Sequence, residues 1–268
     1  MSTSASLIDI GANLTHESFR NDLPTVIRQA RAVGVLKMVV TGASFEGSQA
    51  ATELAEHYPD TLTATAGVHP HHAKEWNDEQ ARQLQHTAQH PAVVAAGECG
   101  LDYFRNFSTP SEQAVAFEAQ LEMAVELALP VFLHQRDAID PFLLILDRYL
   151  DRLPRAVAHC FTDNRYALDA LLERDLHIGI TGWICDERRG HHLRDLVGLI
   201  PSNRLMIETD APYLLPRDLT PKPKSRRNEP KYLPHIARVV AECVDKPAEQ
   251  LAVETSATAR AFFNLSPS

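Results

Sequence analysis

"AVVAAGECGLD", residues 92–102, is a run of small and β-branched residues that meets an acid at Glu98. Residues 92–98 read as a strand whose carboxyl end carries a carboxylate. The same pattern recurs at 7–11, 36–42, 62–68, 130–134, 155–159, 176–182 and 204–209. Amphipathic helical stretches separate or follow these runs at 21–33, 46–57, 78–89, 111–128, 138–150, 164–174, 190–198 and 232–243. Eight strand–helix units in one chain predict an α/β fold of the TIM, or (β/α)8, barrel class, with residues 1–268 as a single domain. The alternative is an open doubly wound sheet, but no glycine-rich nucleotide fingerprint follows the first strand.

Composition narrows the class. With 268 residues, 44% hydrophobic and 23% charged, the chain has the make-up of a soluble globular protein with a large core. Its net charge of −9 provides no global basic field, which argues against a structural DNA binder. It leaves room for an enzyme that takes a phosphate polymer at a local site through metal ions. The four cysteines, at 99, 160, 185 and 243, show no paired spacing and read as reduced thiols of a cytosolic protein. The start "MSTSASLIDIG" lacks a basic region followed by a long apolar stretch, and no apolar run is long enough to span a bilayer. A cytoplasmic location without membrane contact is the expectation. No surface stripe stands out as an interface, and a monomer is expected.

Polar residues collect where the strands stop. The third strand runs into "GVHPHH", with His69 and His71; the fourth ends at Glu98, the fifth at His134 and the sixth at His159. The eighth leads into "IETDAP", with Glu208 and Asp210. A barrel gathers the carboxyl ends of its strands on one face, where active sites lie. Singly, each residue is more readily a packing histidine or a helix cap. Together they would repel or desolvate one another without a cation, so they point to a divalent metal site. Mixed carboxylate and imidazole ligands suit magnesium, manganese or zinc, and Glu98 is placed to bridge two ions.

Arginines flank the same strand ends: Arg105, Arg136, Arg188, Arg189, Arg226 and Arg227. The pairs in "ERR" and "KSRRNEP", the latter inside the Pro-rich irregular segment 210–231, suggest an anion-binding rim whose loop Asn228 and Glu229 orient. Tyr103, Phe104, Phe107, Phe161, Trp183 and Tyr213 occupy the same loops and offer faces for stacking on bases.

The motifs "GVHPH", "GECGLDY", "VFLHQRD", "AHCFT" and "IETDAPYL", followed by "RRNEP", resemble the TatD family of metal-dependent deoxyribonucleases, within the amidohydrolase-like metallohydrolases. The resemblance spans essentially the whole chain, including "ITGWICDERRG" and "LLPRDLTPKP". It implies a TIM barrel of the metallo-dependent hydrolase type and a cytoplasmic enzyme dependent on magnesium, with manganese and zinc as alternatives. It further implies hydrolysis of phosphodiester bonds, as a 3′-5′ exonuclease on single-stranded DNA and RNA with a role in DNA repair. The family's metal positions fall on Glu98, His134, His159 and Asp210. His69 falls near the phosphate and Glu208 two positions before the metal-binding Asp210. His69, Glu208 and Asp210 are thereby the catalytic candidates. His71, Arg136, Arg188, Arg189, Arg226, Arg227 and Asn228 are the phosphate-binding ones, and Tyr103, Phe161, Trp183 and Tyr213 the stacking ones.

One departure stands out. Members carry His-x-His just after the first-strand acid, whereas this chain has Asp9, Gly11 and Asn13 in that register. One firm metal site remains, and a second, bordered by Asp9 and Asn13, lacks two imidazoles. His16 lies too far along to replace either and reads as a loop or cap residue. The rival readings are another hydrolase on the same barrel, such as a lactonase, amidase or phosphotriesterase-like enzyme, and a binding protein without catalysis.

Overall fold

The structure is a computed structural model and describes residues 6–266. The first five residues of the amino-terminal stretch read above lie outside the described residues. Alternation of buried strands and amphipathic helices gives β1 (Leu7–Ala12), α1 (Leu23–Ala32), β2 (Val35–Val40), α2 (Phe45–His57), β3 (Leu62–Ala66) and α3 (Asp78–Ala88). There follow β4 (Val93–Asp102), α4 (Pro110–Leu127), β5 (Val131–Arg136), α5 (Ile139–Leu146), β6 (Ala156–Ala158) and α6 (Arg165–Leu172). The chain then forms β7 (His177–Ile180), α7 (His191–Leu196), β8 (Leu205–Ile207), α8 (Leu233–Cys243) and α9 (Ala248–Phe263). The eight strands follow sequence order in one sheet. The pairings β3–β4, β4–β5, β5–β6 and β7–β8 are parallel, and Ala12 at the end of β1 bridges in parallel to Ala211 beyond β8. This is the TIM-barrel class that the strand–helix count predicts.

The chain divides into two compact units. One comprises Met1–Val39, Cys160–Leu168 and Ile178–Ser268 and contains β1, β8, α8 and α9. Its core joins Ile8 and Ile10 of β1 with Ile236 and Val240 of α8 and Leu251 and Phe262 of α9. The other comprises Val40–His159 and Asp169–His177 and holds β3 to β6. Here α4 buries Phe117 and Leu121, and the Phe117 ring stacks on Phe142 of α5 at 5.3 Å. Among the described residues no helix is long and apolar enough to cross a membrane, and no disulfide joins the four cysteines.

Two elements differ from the sequence reading. Helix α9 has no counterpart in it, because the buried face of α9 includes Thr255, Ser256 and Thr258. Their hydroxyls donate to Leu251 O, Ser6 O and Glu254 O, so polarity that masks the apolar period costs little in place. The fourth strand does not stop at Glu98 but runs on to Asp102. The register against β5 shifts between Gly97 and Cys99, which makes Glu98 the extra residue of a bulge. Gly97 (φ 130°) and Gly100 (φ 144°) permit the path, and a Cβ on Gly100 would lie 1.9 Å from the carbonyl oxygen of His134.

Two buried glutamines of α4 fix the ends of these strands. Gln120 accepts from Val68 N and donates to Val68 O, just past β3. Gln113 accepts from Asp102 N and donates to Asp102 O and Ser108 O, at the end of β4. Backbone groups that leave the sheet are thus satisfied by side chains seven residues apart on one helix.

Gly100→Ala is expected to lower unfolding stability by roughly 1–3 kcal/mol in urea denaturation. Gly198→Ala, where the nearest atom to the new Cβ is 3.9 Å away, serves as the control. It should change stability by less than about 0.5 kcal/mol.

Candidate active site

Within the unit holding β3 to β6, the bulge aims Glu98 into a cluster of imidazoles. Its Oε1 lies 2.9 Å from His134 Nδ1, 2.7 Å from His159 Nε2 and 3.3 Å from His69 Nε2. His69 Nε2 and His134 Nδ1 are 3.2 Å apart. Ligand atoms of His69, Glu98 and His134 all lie within 4.8 Å of one another, a set that fits a divalent metal ion. His69 thus stands among the prospective ligands rather than only beside the phosphate. Its Nδ1 accepts the amide of His71 at 3.1 Å, which leaves Nε2 to face Glu98.

Asp102 orders this cluster from behind, and sequence reasoning missed it. Buried to 1% exposure, its Oδ2 meets His71 Nε2 at 2.9 Å and His134 Nε2 at 3.3 Å. Its Oδ1 accepts the amides of Phe104 and Arg105 and so folds the loop after β4. A carboxylate on the far nitrogen of a ligating histidine fixes the ring and raises its basicity. The one trace in the sequence is that Asp102 closes the same GECGLD motif that contains Glu98.

The electrostatics follow from burial and pairing. Burial alone would raise the Glu98 and Asp102 carboxyls, but neighbouring imidazoles outweigh it and hold both well below the usual carboxylate range. Burial pushes His69 down to about 4, against the attraction of Glu98, so it is a neutral donor at physiological pH. Burial pulls His134 the same way, but its bonds to Asp102 and Glu98 prevail and hold it above the ordinary imidazole range.

The other unit carries Asp9, Asn13, Glu208 and Asp210. Asp9 is fully buried; its carboxylate accepts Thr209 N at 2.9 Å, Thr209 Oγ1 at 2.5 Å and Gly11 N at 3.3 Å. Burial drives its pKa to about 7 despite those bonds. Asn13 donates to Asp210 Oδ1 at 2.9 Å, and Glu208 accepts the amide of Cys160 at 2.6 Å. His16 caps the 3-10 turn Glu17–Phe19.

The rim residues part company. Arg188 and Arg189 are exposed and anchored to Asp186, and Arg189 lies 4.4 Å over Trp183. With Arg217, Lys222 and Arg226 they line a cavity of about 650 Å³. In the other unit, Arg136 sits 4.0 Å over Phe104. Arg227, expected at the phosphate, is instead a brace: it forks onto Asp22 at 2.9 and 2.7 Å, donates to Ser18 O and Glu229, and covers Phe19. Asn228 is likewise buried, donating to Thr209 O. Phe161, expected to stack on bases, is enclosed at 4% exposure and offers no face. Tyr103 and Trp183 are half-buried, while Tyr213 is exposed and edge-on to His16. Phe104 and Phe107 are the exposed aromatics beside the histidine cluster, and Phe107 packs 4.7 Å from His71.

The family model described as TatD related DNase matches residues 8–264, nearly the whole described chain. The chain belongs to the TatD-related DNase family. It is 54% identical, over 97% of its length and 100% of the relative's, to the "3'-5' ssDNA/RNA exonuclease TatD" of Erwinia tasmaniensis. A TatD family hydrolase from Entamoeba histolytica superposes with a TM-score of 0.89 at 25% identity, covering 98% of this chain and 99% of that one. The TatD homologue YJJV of Escherichia coli does so with 0.89 at 28%, at the same coverage. In this TatD-family chain, the residues in place of the first-strand His-x-His both bond Asp210: Gly11 accepts its amide and Asn13 donates to its carboxylate.

Asp102→Asn is expected to weaken metal binding by about 10–100-fold with little loss of thermal stability, measured by isothermal titration. A protonated imidazole cannot ligate, so wild-type affinity should fall as pH drops through the raised His134 pKa. Removing the Asp102 charge lowers that pKa, and the midpoint of the affinity profile should move to lower pH.

Proposed function

We propose that the chain is a divalent-metal-dependent 3′-5′ exonuclease acting on single-stranded DNA and RNA. The observation that carries the reading is the convergence of three imidazoles on one buried Glu98 oxygen in a TatD-family chain. Glu98, His134 and His159 hold the ion, and the family pattern adds Asp210. Magnesium is the proposed metal. When bound, a divalent ion polarises a phosphate oxygen and lowers the pKa of water.

The chain's own groups supply the rest. His69 is neutral and carries its proton on Nε2, because Nδ1 accepts from a backbone amide; it is placed to donate to a phosphate oxygen. Asp210, held by Asn13, orients the attacking water and takes its proton. Glu208 stands in reserve for proton transfer, anchored by the Cys160 amide. His71, Arg136, Arg188, Arg189 and Arg226 meet phosphates, and the exposed faces of Trp183 and Tyr213 meet bases. Gly11 and Asn13 leave a second ion with fewer ligands. The setting we infer is the cytoplasm, with trimming of strand ends during DNA repair as the role and a monomer as the working form.

Glu98→Gln and His134→Ala should each cut degradation of 5′-labelled single-stranded DNA in magnesium by more than about 10²-fold while the protein stays folded. The products should shorten from the 3′ end. Activity surviving both changes, or turnover of lactones and esters in place of nucleic acid, would sink the reading. Arg189→Ala and Arg226→Ala should each flatten the salt dependence of single-strand binding by about 0.7 in log–log slope.

A further inference from the structure

A second mixed cluster lies away from the histidines around Glu98. Cys185 closes the 3-10 turn Gly182–Cys185 after β7, Asp218 sits in the irregular segment before α8, and His235 lies in the first turn of α8. Their Sγ, carboxylate oxygen and ring nitrogen all lie within 4.8 Å of one another. Cys185 is fully buried, while the Asp218 and His235 side chains are 32% and 16% exposed. Asp218 accepts from His235 Nε2 at 2.6 Å, and the buried Cys185 thiol lies within 4.8 Å of the same carboxylate. A thiol and an imidazole thus flank one carboxylate, where one dication can take the place of their protons.

We propose that Cys185, Asp218 and His235 form a site for zinc or a similarly soft divalent ion, distinct from the harder site around Glu98. Thiolate, imidazole and carboxylate together suit tetrahedral zinc with one open position, and a thiolate disfavours magnesium. The three ligands come from three separate elements, so the ion staples them. Two of them adjoin the basic cavity. Asp186, next to Cys185, holds Arg188, Arg189 and Arg217; Arg217 precedes Asp218. An ion at this cluster fixes the loop that presents Arg217, Lys222 and Arg226 to the cavity.

Two neighbours oppose it, and the first, Arg194, brings Nη2 within 3.9 Å of Asp218 Oδ2. Arg238 Nη2 faces His235 Nδ1 at 3.3 Å and holds the ring proton on Nε2, where the metal would bind. Arg238 is half-exposed and also pairs with Glu242, so it has a second partner to turn to. Replacing it should strengthen metal binding.

Cobalt(II) titration reads the site directly, because a thiolate ligand gives a charge-transfer absorption that imidazoles and carboxylates do not. One such equivalent is expected in the full-length chain and in Glu98→Gln. It should vanish in Cys185→Ser and weaken at least about tenfold in Asp218→Asn. It should persist in Cys160→Ser, which removes the thiol beside His159, and strengthen in Arg238→Ala. As an independent reading, equimolar zinc should slow tryptic cleavage after Lys224 and Arg226 in the wild type but not in Asp218→Asn. Absence of the band in the wild type, its survival in Cys185→Ser, or cleavage indifferent to zinc would overturn the proposal. In those cases the cluster is a hydrogen-bonded clip alone. None of these outcomes bears on exonuclease activity in magnesium, which is assayed separately.

Discussion

A single carboxylate oxygen organises the site: Oε1 of Glu98 is approached by His69, His134 and His159 at 3.3, 2.9 and 2.7 Å. An isolated buried carboxylate would be driven to protonate, and imidazoles withdrawn from water without a partner would stay neutral and unmatched. Sharing protons solves both problems for a chain without a cation, and a divalent ion solves them more completely. The remaining contacts serve to keep those rings pointing inward. His134 is pinned between Glu98 and Asp102, and His69 is fixed by the amide of His71.

That convergence depends on backbone path more than on side-chain packing. Glu98 faces the histidines because β4 bulges there, and the path is open because Gly97 and Gly100 adopt positive φ with no side chain against β5. Gln113 and Gln120 of α4 then take up the polar groups that the strand ends leave over. Core apolar residues provide the bulk of the stability, but these few polar contacts decide where the carboxylates end up.

Much of this was legible in the sequence, and the rest hid for identifiable reasons. Each of the eight strands and the eight helical stretches read from periodicity has its counterpart, with ends moved by a few residues, because apolar spacing is set by burial. Helix α9 escaped since three hydroxyl residues occupy its buried face and bond back to backbone carbonyls. The histidines and Glu98 could be named because residue type and strand end coincide. Asp102 could not, because a bulge is invisible in composition and the strand seemed to end four residues sooner. Arg227 and Phe161 erred the other way: residue type suggested a ligand surface, while Asp22 and the core had already claimed them.

The first strand shows what replaced the two missing imidazoles. Asp210 adopts a left-handed backbone (φ 53°), a conformation that costs a non-glycine residue about 1–2 kcal/mol. Neighbours on both sides hold it there. Asp9 takes the amide and hydroxyl of Thr209, Asn228 takes the Thr209 carbonyl, and Asn13 donates to the Asp210 carboxylate itself. Hydrogen bonds to a charged group contribute about 1.5–3 kcal/mol each, enough to offset the strain. At position 13 the amide nitrogen donates to the acid and fixes its carboxylate. The residues at β1 therefore brace the acid that follows β8.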